Sequence, residues 1–264
     1  MPTRYAFSID LDRCIGCQAC VISCQAGNEL KDDETYIHVG EQIRGSGKTL
    51  WGSFDHHRCF HCADAPCVAA CPTGTLSKWN GLTIVEKEKC SACGYCTDAC
   101  PFKVPHIVDN HVSKCVACLD QVKEGQAPWC ARTCPSQAIH FGERETILAE
   151  ARAKVAALKA RHPNALIYGE TQLGGLGLLM ILLDKPEVYG LPLDPKAPET
   201  MKVWQSVVQP ASSGLSVLAA GAMGLMFVFA RRQHGKERAE HERAAKQKAA
   251  LQTAQPKATE THHD

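Results

Sequence analysis

Short strand-like runs of apolar residues recur through the first half of the chain. Tyr5–Ile9, Leu82–Val85, His106–Val108 and Ala138–Phe141 each read as a strand. The pattern changes after Glu143. From there to Arg161 the apolar residues Ile147, Leu148, Ala151, Val155 and Leu158 fall at helical spacing and make one face, and His162-Pro163 ends the helix. Leu173–Leu183 is apolar but too short to cross a bilayer, so it reads as a buried strand or packing segment. Leu191–Pro198 carries three prolines and reads as an extended linker.

Ala211 to Ala230 contains no charge and has the length, about 20 residues, that spans a bilayer as a helix. The run stops at Arg231-Arg232. A buried core helix is the alternative; length and the basic stop favour a membrane span. Beyond it the tail is polar and is expected to fray. Met1 to Cys14 has no basic start followed by an apolar core, so no signal peptide is read there.

Composition changes this picture at one residue type. Lys and Arg total 29 against 28 Asp and Glu, which argues against nucleic acid as a partner. The chain has 16 cysteines, all between Cys14 and Cys134. They form four groups: Cys14, Cys17, Cys20, Cys24; then Cys59, Cys62, Cys67, Cys71; then Cys90, Cys93, Cys96, Cys100; then Cys115, Cys118, Cys130, Cys134. Each group ends in C-x3-C, and Pro72, Pro101 and Pro135 follow the last three. A secreted disulfide scaffold would also be rich in cysteine, but repeated three-residue spacing points to a shared metal group.

The first and third groups have the full C-x2-C-x2-C-x3-C spacing of two-cluster ferredoxins, in which the fourth cysteine of a run serves the other cluster. Zinc is the rival, since paired CxxC motifs suffice for it. A third and fourth cysteine following at once in each group favour [4Fe–4S] clusters. Sixteen thiolates make four sets of four with none to spare, so four clusters are expected, with no iron left open for substrate. No residue is assigned a catalytic role, and the chain reads as an electron carrier.

Other candidates receive plainer readings. His56, His57 and His61 beside the second group read as polar surface or hydrogen-bond partners rather than ligands. Tyr95, Trp79 and Trp129 read as packing that excludes water from the clusters. Lys103 either tunes a cluster by its charge or is solvated. Residues 31–52 read as a polar insert. Its Gly45-Ser46-Gly47-Lys48-Thr49 has the end of a phosphate loop, but Gln42 stands where the first glycine is needed, so nucleotide binding is rejected.

With these groups in hand, the chain resembles the four-cluster iron–sulfur subunits of molybdopterin oxidoreductases, and within them the beta subunit of membrane-bound respiratory formate dehydrogenase. The narrower resemblance rests on Cys130-Ala-Arg-Thr-Cys134-Pro-Ser-Gln-Ala-Ile-His-Phe-Gly142, on Val155-Ala-Ala-Leu-Lys-Ala-Arg161, on Gly174-Gly175, on Pro186-Glu-Val-Tyr-Gly-Leu-Pro192 and on the single C-terminal span. It implies an α+β fold of two interleaved ferredoxin-like double-[4Fe–4S] units plus one C-terminal transmembrane helix. The cluster domain would cover 1–142, with a second unit at about 55–105 inserted in the first. Residues 143–205 would be a helix and connecting region, 206–231 the span and 232–264 a polar cytoplasmic tail.

The resemblance also implies the ligand sets. One cluster would take Cys14, Cys17, Cys20 and Cys134; a second Cys24, Cys115, Cys118 and Cys130; a third Cys59, Cys62, Cys67 and Cys100; a fourth Cys71, Cys90, Cys93 and Cys96. Spacing alone suggests exchange of fourth ligands without choosing these partners. The implied partners are a molybdenum or tungsten pterin subunit that oxidises formate, a membrane cytochrome b that passes electrons to quinone, and the lipid bilayer. The same wire could serve a sulfur-compound reductase or a hydrogenase instead, and a zinc-binding structural module is the more distant alternative. The basic residues after the span exceed those before it, which places the tail in the cytoplasm and the cluster domain in the periplasm. Export of the folded chain attached to a partner bearing a twin-arginine signal is what the resemblance implies.

Overall fold

A computed structural model describes residues 3–31, 34–44, 51–198 and 208–253. The chain divides into two compact units, Met1–Lys202 and Val203–Asp264.

The first unit is built on a four-stranded sheet. β1 (Tyr5–Asp10) lies at its centre. Ten strands are described in all, and we number them in chain order. β8 (Ile139–Glu143) runs antiparallel to β1 on one side, with Phe7 opposite Phe141 and Ile9 opposite Ile139. β10 (Leu178–Leu182) runs parallel to β1 on the other, with Phe7 opposite Leu178, and β9 (Leu166–Tyr168) closes that edge.

All five residues of β10 are buried, because the strand is covered on both faces. Leu178, Met180 and Leu182 join the large core that also contains cysteines of all four groups. Leu179 and Ile181 turn the other way, toward the helix Arg144–Leu158. That helix buries Ile147, Leu148, Ala151, Val155 and Leu158, the face its spacing predicts. Residues 143–198 are thus woven into the cysteine-bearing unit through β9 and β10 and are more than a connector.

Three two-stranded hairpins stand outside the sheet. They pair β2 (Ile37–Arg44) with β3 (Trp51–Arg58), β4 (Leu76–Trp79) with β5 (Leu82–Val85), and β6 (His106–Val108) with β7 (His111–Ser113). The first occupies the stretch read as a polar insert. Its Gly45-Ser46-Gly47-Lys48-Thr49 lies outside the described residues. Short helices carry later cysteines of the groups at α1 (Ala19–Gly27), α2 (Pro66–Ala69) and α3 (Tyr95–Ala99); α4 (Leu119–Lys123) starts just after Cys118, α5 (Trp129–Thr133) carries Cys130, and α6 is the helix Arg144–Leu158 already described. Residues 191–198 have no regular structure, in keeping with their prolines.

The second unit contains α7 (Gln209–Thr253). Its segment Pro210–Arg238 is long and apolar enough to cross a membrane, with mean hydropathy 1.9. The helix continues past Arg232, where the polar sequence suggests a fraying tail. The reason lies in local propensity: after Gly235 the run to Thr253 is dominated by Ala, Glu, Lys, Arg and Gln, all good helix formers.

Candidate iron–sulfur sites

All sixteen cysteines are free thiols. Their loops share a backbone device. In each leading C-x2-C the residue just before the second cysteine has positive φ: Gly16 at 66°, His61 at 47°, Ala92 at 54° and Ala117 at 59°. This left-handed residue curls the loop so that backbone N–H groups turn inward. The His61 N–H lies 3.5 Å from Cys59 Sγ and the Ala117 N–H 3.4 Å from Cys115 Sγ. Such bonds are what a thiolate bearing metal needs from its surroundings.

Four sets of cysteines converge. Cys14, Cys17, Cys20 and Cys134 line one cavity. Cys59, Cys62, Cys67 and Cys100 line a second, and Cys71, Cys90, Cys93 and Cys96 a third. The remaining four are tied by two side chains. Asn28 Nδ2 lies 3.5 Å from Cys24 Sγ and 3.9 Å from Cys118 Sγ. Arg58 donates from Nη1 to Cys130 Sγ at 3.4 Å and from Nη2 to Cys115 Sγ at 3.6 Å.

These surroundings fit an iron–sulfur guest. Burial pushes the thiols up: Cys20 to about 11, Cys67 to about 12, Cys96 to about 11 and Cys118 to about 11, with neighbouring cysteines adding to the effect in each. Thiolates gathered this closely need a cation among them, which cluster iron supplies. Among the described residues no group of three or more His, Cys, Asp or Glu closes around a single ion. Three cavities, each walled by four cysteines, suit a repeated guest that takes four thiolates.

The histidines divide between the two roles their sequence suggests, hydrogen-bond partner and surface residue. His56 and His61 are not surface residues; they are 3% and 1% exposed. His56 Nε2 faces Cys14 Sγ, and His61 Nδ1 accepts the backbone N–H of Thr83 at 3.1 Å. His57 does sit at the surface, its ring against the Phe102 carbonyl at 2.8 Å. Trp79 stacks on Tyr5, and Trp129 lies under the Arg132 guanidinium, both as packing. Tyr95 is half-buried at the start of α3. Lys103 is exposed.

The most deeply buried cations are different residues, Arg58 and Lys114, each 1% exposed. Lys114 Nζ donates to the carbonyls of Thr83 and Cys115, both at 2.8 Å, and lines the cavity of Cys59, Cys62, Cys67 and Cys100. One signal could have found them: a basic residue immediately precedes the first cysteine of every group, at Arg13, Arg58, Lys89 and Lys114. Arg13 and Lys89 are exposed, so the pattern marks position and not burial.

The 4Fe-4S dicluster domain family matches this chain at residues 13–75 and again at 50–144. The nitrate-inducible formate dehydrogenase iron–sulfur subunit of Escherichia coli (strain K12) is 36% identical over 240 residues, 81% of either chain. The chain belongs to the family of formate dehydrogenase iron–sulfur subunits. The formate dehydrogenase iron–sulfur subunit of Haemophilus influenzae is 35% identical, covering 82% of this chain and 75% of its own. The B subunit of the anaerobic dimethyl sulfoxide reductase of E. coli (strain K12) is 32% identical over 63% of this chain and 89% of its own. Like these iron–sulfur subunits, the protein carries electrons through [4Fe–4S] clusters, and its relatives imply a separate catalytic subunit.

Proposed function

We propose that this subunit holds four [4Fe–4S] clusters, one in each cysteine quartet, and relays electrons from a molybdopterin subunit that oxidises formate to a membrane cytochrome b and quinone. The observation that carries the reading is the make-up of the quartets. Each combines three cysteines of one group with a single cysteine from another. The set Cys14, Cys17, Cys20, Cys134 and the set Cys24, Cys115, Cys118, Cys130 exchange ligands between the first and last groups. The other two sets exchange between the middle groups. The result is one ferredoxin-like unit inserted inside another.

Each cluster, when bound, supplies a one-electron carrier. The protein's part is to hold, space and insulate. Cys17 and Cys93 are the exposed ligands, and they belong to different units. Electrons would enter and leave at those two quartets and pass through the quartets of Cys24 and Cys59 on the way. Phe60 stacks on Phe102 with ring centroids 4.1 Å apart and helps keep water from the Cys59 quartet. Formate is preferred over a sulfoxide or another substrate because the formate dehydrogenase relatives match more of the chain.

The α7 segment Pro210–Arg238 anchors the subunit in the cytoplasmic membrane. Lys196 and Lys202 precede the uncharged run, whereas Arg231, Arg232, Lys236, Arg238 and Arg243 come after it. That excess supports a cytoplasmic C-terminus and a periplasmic cluster unit.

Purification from the native membrane tests the reading. The expected complex contains a molybdenum or tungsten pterin subunit and a haem b subunit, with iron and acid-labile sulfide equivalent to four cubanes in this chain. Zinc in place of iron, or a catalytic partner without pterin, would overturn it.

A further inference from the structure

Arg58 ends β3 at the junction of two quartets. The next residue, Cys59, lines one cavity, while the Arg58 side chain reaches the sulfurs of another quartet. Each element packed around its head contributes something recognisable. β1 places the Phe7 ring 4.8 Å from the guanidinium carbon, α5 presents Cys130, and the loop after β7 presents Cys115. Cys24 of α1 adds its negative potential. Arg58 Nε has no hydrogen-bond partner among the described residues. The acceptors that meet this head are therefore the sulfurs of the Cys24, Cys115, Cys118, Cys130 quartet. Lys114, buried as deeply, instead rests on backbone carbonyls.

A buried charge is tolerated only when it is paired. Burial works against the Arg58 charge, and its contacts with the sulfurs of Cys130 and Cys115 are what pair it. A guanidinium does not lose its proton in a protein. Its charge is thus fixed whichever redox state it faces.

We propose that Arg58 is a tuning residue: its charge and its two N–H···S bonds raise the reduction potential of the cluster held by Cys24, Cys115, Cys118 and Cys130. This rests on the quartet assignment. Reduction adds one electron and makes that cluster more negative, and no proton has to follow, because the compensating charge is already present. Charge and hydrogen bonds to sulfur are the levers by which proteins set such potentials. Arg58 is a positioning residue, since it acts through the cysteines.

The test is a redox titration followed by electron paramagnetic resonance, on complexes purified with wild-type subunit, Arg58→Gln and Arg58→Lys. Iron and sulfide counts come first. A wild-type count short of four clusters defeats the quartet assignment and leaves the Arg58 proposal without its basis; a full count lets the potentials decide. Arg58→Gln should move one midpoint potential downward, by tenfold or more in the reduction equilibrium, about 59 mV for a one-electron couple. Arg58→Lys keeps the charge and gives up one N–H···S bond, so the same potential should fall by less. If Arg58→Gln loses its iron, Arg58→Lys decides alone. A fully loaded Arg58→Lys with all potentials unchanged, or with all four shifted alike, would overturn the proposal.

Discussion

His56 Nε2 lies 3.3 Å from Cys14 Sγ, although the two residues belong to different cysteine neighbourhoods in the sequence. Burial, and then the charge of Arg58, push the imidazole down to about 4, so the ring is neutral at pH 7. A metal-bound thiolate can only accept a hydrogen bond. The ring proton therefore resides on Nε2 in the loaded protein.

Replacing His56 by Phe should leave the cluster of Cys14, Cys17, Cys20 and Cys134 in place but lower its potential. His56→Gln should restore part of the shift, since an amide can still donate. A net hydrogen bond is worth roughly 0.5–1.5 kcal/mol. Potentiometric titration of both variants checks this, and equal potentials in the two would show that the contact does not matter.

Cys134 lines the same cavity as Cys14, Cys17 and Cys20, not the site of the remaining cysteines of its own group. Cys134→Ser should therefore damage the first-group cluster and spare the one on Cys115, Cys118 and Cys130. Cluster-resolved spectroscopy on the variant measures it. Selective loss of the second cluster would contradict the pairing.

Gly27 lets α1 approach α5. A Cβ there would meet the Trp129 ring at 2.3 Å. Gly27→Ala should displace the indole from beside Cys118 and open that quartet to water. The expected outcome is normal loading in anaerobic preparations and faster bleaching in air than wild type, followed as loss of visible absorption.

Leu178 is fully buried at the centre of the sheet, paired with Phe7 of β1. Leu178→Ala should destabilise the loaded unit by about 2–5 kcal/mol, the range for truncating a core leucine. Thermal unfolding, read as release of iron, measures it. A neutral result would mean that 143–198 is separable from the cysteine core.

Protease added to intact spheroplasts should cut loops of the cluster unit and spare the segment after Arg231. If the unit is cut only in inside-out vesicles, the orientation is reversed. Within the span, Ser216, Ala220 and Gly224 recur four residues apart and present one small-residue face. Ala220→Leu should loosen association with the cytochrome subunit, seen as loss of that subunit during purification.

The cysteine groups, the apolar face of α6 and the strand at Leu82–Val85 were legible because each arises from a fixed spacing. The β2–β3 hairpin was not. Its buried positions include Ser53, His56 and Arg58, so its inward face is polar and imitates a solvated insert. Arg58 and Lys114 were hidden for the same reason: a lone cation beside a cysteine reads as surface, and only the sulfurs and carbonyls gathered from distant segments make its burial tolerable. Lys103 attracted attention instead, and it is solvated. The partner of each fourth cysteine depends on which loops meet, and no local spacing encodes that.

The parallel pairing of β1 with β10 also imposes a timetable. Phe7 is synthesised well before its neighbour Leu178, which lies 171 residues further along the chain. Contacts between such distant parts of a chain form late. The first cysteine group must likewise wait for Cys134. The first quartet therefore closes only after Cys134 has been made, and a nascent chain halted before Leu182 would carry all its thiols without the β1–β10 pairing that closes the core over them.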